Sequence, residues 1–251
     1  MNNILYNIIS TPRSGSTYLL HILLNSINFE NKNNKNFKYV CEGLSVHNVN
    51  DFKENIEWIN NFIKNSSLVI KNHINRIYVI EEVFKNLKQI NYYINANRLD
   101  ILCVRIDIQE QIKSLAYSFQ CNKWAWNKKD IDKIKKINLN ESYIQQACES
   151  ISRQYLWLYD YVNTKCVNPV KIVTYNDIME LNIEKLLKNI DINLKVNGNI
   201  NTNSVKSPNK ENIINNLEQV EIICDKYFAN KKNPLIIDNK LDIGKFKKYE
   251  K

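Results

Sequence analysis

The chain is poor in the residues that build metal sites. Its histidines are three, His21, His47 and His73, and none of its six cysteines stands in a Cys-x-x-Cys pair. That spacing excludes the usual zinc sites, and no metal is expected. It also lacks an apolar stretch long enough to span a bilayer, and its start, Met-Asn-Asn leading into a short apolar run, has no basic segment or small-residue cleavage site. The expectation is a cytoplasmic protein with no membrane partner. There is no internal repeat, and no Arg-rich tract interleaved with aromatics, so nucleic acid is disfavoured as a partner. A G-x-x-x-x-G-K-[ST] loop, the cradle of nucleotide triphosphates, is absent as well.

What is present suits one α/β domain. The 251 residues, 44% of them hydrophobic, can bury a sizeable core. We place the domain at 1–238 and a basic C-terminal tail at 239–251. The formal charge of +9 favours anionic partners: a phosphorylated cofactor, an acidic glycan, nucleic acid or a membrane surface. Much of that charge is lysine scattered through Asn-rich stretches such as 31–38 and 128–136. Cys103 lies in a strand-like run, and Cys148 and Cys224 in helix-like runs, as buried free thiols of a reducing compartment do.

Short β-branched runs at 4–10, 67–73, 99–105 and 170–175 read as buried strands. Helical spacing predicts helices over 17–27, 51–64 (with Asp51 as N-cap), 79–89, 109–124, 141–163, 176–190 and 210–228. The stretch 193–208 is polar and irregular. Strands alternating with helices imply a central parallel sheet covered on both faces.

The chemistry points to the first strand–helix junction, Thr11-Pro12-Arg13-Ser14-Gly15-Ser16-Thr17. A loop in that position aims backbone N–H groups and the positive end of a helix dipole at one point, which suits an anion. Gly15 permits close approach, Ser14, Ser16 and Thr17 add hydroxyls, and Arg13 adds a delocalised cation with several donors.

These residues resemble the 5′-phosphosulfate loop of sulfotransferases that use 3′-phosphoadenosine 5′-phosphosulfate (PAPS), in the branch that carries Arg in the loop, as trehalose-type and tyrosylprotein sulfotransferases do. A second match is Arg105, at the end of the third strand, with Ser114 on the helix beyond it. In the family such a pair binds the 3′-phosphate. Gln111, Gln120 and Trp124 also resemble the trehalose-type pattern. Tyr175-Asn176-Asp177-Ile178 resembles a motif that follows the fourth strand, with Asn176 in place of the usual Glu, and reads as structural. The resemblance is strong over the first half of the chain and thin beyond it. It implies a P-loop-hydrolase-like fold and a sulfuryl transfer from PAPS to an acceptor hydroxyl, leaving 3′,5′-ADP (PAP). The acceptor, a hydroxyl-bearing carbohydrate or small molecule, is not legible.

Such a transfer needs a base for the acceptor proton and positive charge on the leaving nucleotide. Two residues qualify as base. Glu42 lies where the Arg-type branches place a catalytic Glu, and ranks first. His73, in Lys71-Asn72-His73, resembles the Lys-x-His of the cytosolic branch. Alternate strand residues share a face, so Lys71 and His73 point the same way and either serves the sulfate or the acceptor. Arg13 completes the catalytic set. Lys206 and Ser207 suit a lid over the nucleotide or a solvated loop, and Trp124 and Trp126 an acceptor wall or core. Two other readings stand beside this one: a small-molecule or nucleotide kinase on a P-loop-type fold, and a non-catalytic binder of anionic glycan or RNA.

Overall fold

The strand Leu5–Ser10 (β1) is buried at all six positions, its polar Asn7 and Ser10 included. A computed structural model describes residues 4–30, 39–41, 54, 57–61, 68–75, 98–124, 135–162, 170–180, 182–192, 209–228, 236–237 and 240–241. The elements after β1 are α1 (Ser16–Glu30), β2 (Tyr39–Cys41), β3 (Leu68–His73), β4 (Arg98–Val104), α2 (Ile108–Cys121), α3 (Glu141–Asp160), β5 (Val170–Thr174), α4 (Tyr175–Glu180), α5 (Ile183–Asn189), a 3-10 turn (Lys210–Asn212), α6 (Leu217–Tyr227), β6 (Ile236–Ile237) and β7 (Lys240–Leu241).

Among the described residues, five strands form one parallel sheet in the order β2-β3-β1-β4-β5. The expected α/β architecture, a parallel sheet flanked by helices, is what the chain adopts. Alternation along the strands sorts the two cores. Leu5, Ile9, Leu68, Ile70, Leu102 and Val104 face the layer of α2, α3 and α6. Tyr6, Ile8, Val69, Ile101, Cys103 and Val173 face the layer of α1, α4 and α5. The chain steps from β1 to β3 on one side and then to β4 on the other. The carboxyl end of β1 is therefore a topological switch point, where open α/β sheets leave a crevice for ligands.

Some boundaries differ from the sequence reading. The short β2 was not expected as a strand; it pairs with β3, Cys41 opposite Lys71. The helix expected over 176–190 is two, α4 and α5, because the Asn182 side chain caps the second by accepting from Glu184 N at 2.8 Å. The helix expected over 109–124 stops at Cys121, where Asn122 takes a left-handed conformation at φ 48°. The helix expected from 210 begins only at Leu217. Ahead of it, a bridge between Ile137 and Ile214 pins the 3-10 turn to the body. Glu54 and 57–61 are helical, within the helix expected over 51–64, whereas Asp51 and the helix expected over 79–89 lie outside the described residues. Among the described residues, no helix is long and apolar enough to cross a membrane.

A buried polar cluster ties the sheet centre to α3. Asp100 receives Asn7 Nδ2 at 2.7 Å, Arg98 Nη2 at 3.0 Å and the Tyr161 hydroxyl at 3.3 Å. Arg98 and Asp100 side chains are fully buried, and each charge offsets the other in a site where a lone charge would be costly.

Candidate active site

The loop after β1 is closed from within. Ser14 Oγ donates to the Thr11 carbonyl at 2.8 Å, and Gly15 O accepts from Tyr18 N and Leu19 N at 2.9 and 3.1 Å to start α1. Ser14, expected to offer its hydroxyl to an anion, is fully buried and donates to the Thr11 carbonyl. Arg13 and Gly15 both have left-handed backbones, φ 64° and 84°. For Arg13 this costs about 1–2 kcal/mol, which the contacts of its side chain must offset. A Cβ on Gly15 would meet Tyr175 Cδ2 at 3.1 Å and Ile178 Cδ1 at 3.3 Å, so glycine here satisfies both the dihedral and the space.

Arg13 is turned toward α2. Its Nε donates to Ser114 Oγ at 2.9 Å, and its Nη1 donates to the Trp124 carbonyl. Arg105 Nη1 reaches the Arg13 carbonyl at 3.5 Å, and its guanidinium lies over the Tyr175 ring, 4.3 Å from the centroid. The loop motif and the Arg105–Ser114 pair, far apart in the sequence, thus meet in one place. Gln111 locks them together. Its Nε2 donates to Thr11 Oγ1 at 2.9 Å and to the Pro12 carbonyl at 2.6 Å, while its Oε1 accepts from the Tyr155 hydroxyl at 2.8 Å. Tyr155 also accepts from Arg105 N at 3.3 Å. Burial pushes the Tyr155 phenol up to about 12, so it acts as a neutral hydroxyl. Burial first, and then the charge of Arg105, bring Arg13 down to about 10, which leaves it cationic at neutral pH.

A third cation joins them from the far end of the chain. Lys210 is 2% exposed. Its ammonium is pushed down to about 7, first by burial and then by the charges of Arg13 and Arg105, with Glu110 acting the other way. Sequence reasoning missed Lys210. It sits in a short turn after a polar stretch, with no periodicity to mark it. Tyr155 was missed too, although its place on the apolar stripe of α3 with Cys148 and Ile151 was a usable signal.

A second group gathers across the loop. Lys71, 3% exposed, donates from Nζ to Thr17 Oγ1 at 3.3 Å. His73 Nδ1 lies 3.1 Å from Ser10 Oγ, which in turn lies 3.4 Å from the Asn72 carbonyl. His21, one helical turn beyond Thr17, has its pKa lowered by burial and then by Lys71. Ser16 is buried at the first position of α1, and Thr17 is exposed. Of the other residues singled out in the sequence, Glu42, Ser207, Lys206 and Trp126 lie outside the described residues. Trp124 is half exposed and meets Phe119 edge-on, 5.7 Å between centroids. Among the described residues there is no cluster of His, Cys, Asp and Glu fit to hold a metal.

No protein-family model and no curated protein matches this chain. A solved structure similar to it is the sulfotransferase domain from the curacin biosynthetic pathway, with 17% identity and a TM-score of 0.44, covering 78% of this chain and 76% of that one. At that distance the likeness carries nothing about this chain's chemistry.

Proposed function

We propose that this protein is a PAPS-dependent sulfotransferase that moves a sulfuryl group to the hydroxyl of a carbohydrate or small-molecule acceptor. The observation that carries the reading is the hydrogen bond from Arg13 to Ser114. It unites the two stretches whose residues resemble the donor-binding motifs of that family, and does so at the switch point of a parallel sheet. Arg105, Lys210 and Ser114 suit the 3′-phosphate of the donor, and Arg13, read from the sequence as a catalytic contact to the phosphosulfate, turns to Ser114 and joins them. The amides at the start of α1, with Ser16, Thr17 and Lys71, suit the phosphosulfate.

In the reaction so read, the acceptor oxygen attacks sulfur and loses its proton to a base, while the bond from sulfur to the phosphate oxygen breaks. Lys71 faces the negative charge that grows on that oxygen. Glu42 is the first candidate for the base, on the strength of the resemblance. His73 is the second, and its surroundings suit the role. With Ser10 Oγ donating to the Asn72 carbonyl, Nδ1 donates to Ser10 and the lone pair falls on Nε2.

The test is ligand stabilisation followed by transfer. PAP should raise the melting temperature well beyond AMP, because only PAP carries the phosphate that Arg105 and Ser114 would hold. Sulfur-labelled PAPS should then label an acceptor in a panel of sugars and small hydroxyl compounds. Equal stabilisation by AMP and PAP, with magnesium-dependent turnover of ATP, would move the assignment to a kinase.

A further inference from the structure

Two parts of the site come from separate stretches of chain: the loop 11–17, and Arg105 just past the end of β4. Among the described residues, two kinds of link join them. The first runs through side chains that would themselves meet an anion, Arg13 to Ser114 at 2.9 Å and Arg105 to the Arg13 carbonyl at 3.5 Å. An anion that takes those guanidiniums competes for the same donors. The second is buried: Tyr155 is 1% exposed, and Gln111 and Thr11 are fully buried. Chemistry fixes the direction of each bond in it. The Pro12 carbonyl can only accept, so the end of the Gln111 amide that faces it and Thr11 Oγ1 is the nitrogen. Gln111 Oε1 must then accept, and the Tyr155 hydroxyl gives it a proton at 2.8 Å; the Arg105 carbonyl lies farther off, at 3.2 Å. The same phenol oxygen accepts from Arg105 N at 3.3 Å. An unbroken line of hydrogen bonds thus runs from the backbone of Arg105 to the backbone of Pro12 through one phenol and one amide. The phenol is held firmly, because Ile151 and Leu158, a turn to either side of it on α3, are fully buried.

We propose that Tyr155 is a positioning residue: by tying the Arg105 backbone to the loop through Gln111, its hydroxyl sets the distance between two anion positions and so selects a ligand that carries two anionic groups. A ligand of that kind outbinds one with either group alone only if both positions stand at the ligand's own spacing. Tyr155 and Gln111 are committed to protein partners at both ends, so the tie persists when a ligand takes the guanidiniums. The inference rests on the donor reading above, whose nucleotide carries phosphates at the 3′ and 5′ positions.

The test is calorimetric titration of the full chain with PAP, 5′-AMP and 3′-AMP. Tyr155→Phe keeps the ring in the core and removes only the hydroxyl. Gln111→Met breaks the same line from α2 at similar side-chain volume, so the result does not hang on one variant. The wild type should bind PAP more tightly than either monophosphate. Each variant should lose about tenfold of that preference, the equivalent of one buried hydrogen bond, with both monophosphate constants within about twofold of wild type. The double variant should lose no more than the worse single one, because both substitutions break one line. A merely structural role would weaken all three ligands alike, or none. An unchanged preference in either variant, equal weakening of all three ligands, or additive losses in the double variant overturns the proposal and leaves the donor reading standing. A wild type with no preference for PAP overturns the donor reading, and the proposal with it.

Discussion

The guanidinium of Arg105 rests on the ring of Tyr175, 4.3 Å above its centroid, while an edge of the same ring closes against Gly15. One aromatic side chain thus sets both the height of a cation and the path of the loop beside it. A cation–π contact of this kind is worth roughly 0.5–2 kcal/mol. Tyr175→Phe keeps the ring face and should leave the preference for PAP over AMP within about twofold. Tyr175→Leu keeps bulk without the face and should cut that preference by roughly 3–30-fold, as read by parallel titrations. Equal discrimination in the leucine variant would mean the ring does not position Arg105.

The two candidate bases separate by kinetics. Glu42→Gln should leave PAP binding almost intact and lower turnover by roughly 10²–10⁴, the usual contribution of a general base. His73→Ala should then have the smaller effect. The acidic limb of the rate profile should vanish only in the variant that lacks the base. Normal turnover in Glu42→Gln beside a dead His73→Ala would transfer the role to His73 and its Ser10 contact.

Gly15→Ala should destabilise the fold and open the loop. The new methyl would stand 3.1 Å from the Tyr175 ring at a backbone of φ 84°, and the left-handed penalty alone is about 1–2 kcal/mol. Chemical denaturation should show at least that loss, with weaker PAP binding. An unchanged midpoint would show that Tyr175 yields freely.

The pH dependence of stability has a definite sign. Lys210 is held at about 7 in the folded chain, against its ordinary 10.5. Between those values the unfolded chain binds a proton that the folded chain does not, so the Lys210 contribution to stability increases as pH rises through that window. The slope is at most about 1.4 kcal/mol per pH unit. Urea unfolding of ligand-free protein at pH 7, 8 and 9 should show the wild type gaining on Lys210→Met as pH rises. Parallel curves would show that Lys210 keeps its proton.

The polar cluster at the sheet centre gives a stability test away from the site. Asp100→Ala leaves Arg98 fully buried without its carboxylate and should cost about 3–5 kcal/mol. Replacing both residues with apolar ones should cost much less. Equal losses would mean that Asp100 acts by packing alone.

The parts of this molecule that were legible in the sequence are those encoded locally. Residues 4–10 carry apolar side chains on both faces and lead into a Ser/Gly turn, so a buried strand and an anion-binding junction could be read together. Arg105 and Ser114 stand on either side of one strand-to-helix turn, and it was the resemblance to a known family that paired them; the partner the structure gives Ser114 is Arg13. Lys210 joins the cluster only because Ile137 and Ile214 pair across the body, a tertiary event with no local mark. Ser14 was read as a donor to an anion from its residue type, and the hydrogen bond it makes within the tight turn of the loop could not be read from the sequence. The breaks at Asn122 and Asn182 went unread for a similar reason. Asn is a mild residue inside a helix pattern, and only the capping geometry shows that it ends or begins one.

The central position of β1 has a consequence for biosynthesis. This strand carries Leu5, Ile8 and Ile9, all fully buried in the finished fold, yet its two partners begin only at residues 68 and 98. At the usual 5–20 residues per second, β1 waits roughly 3–12 s for the first neighbour and longer for the second. Through that interval a flat apolar segment stands with both edges open, the condition under which nascent chains adhere to one another or recruit chaperones. The element that anchors the site is therefore also the one on which yield during expression depends, and slowing elongation before residue 68 would lengthen its exposure.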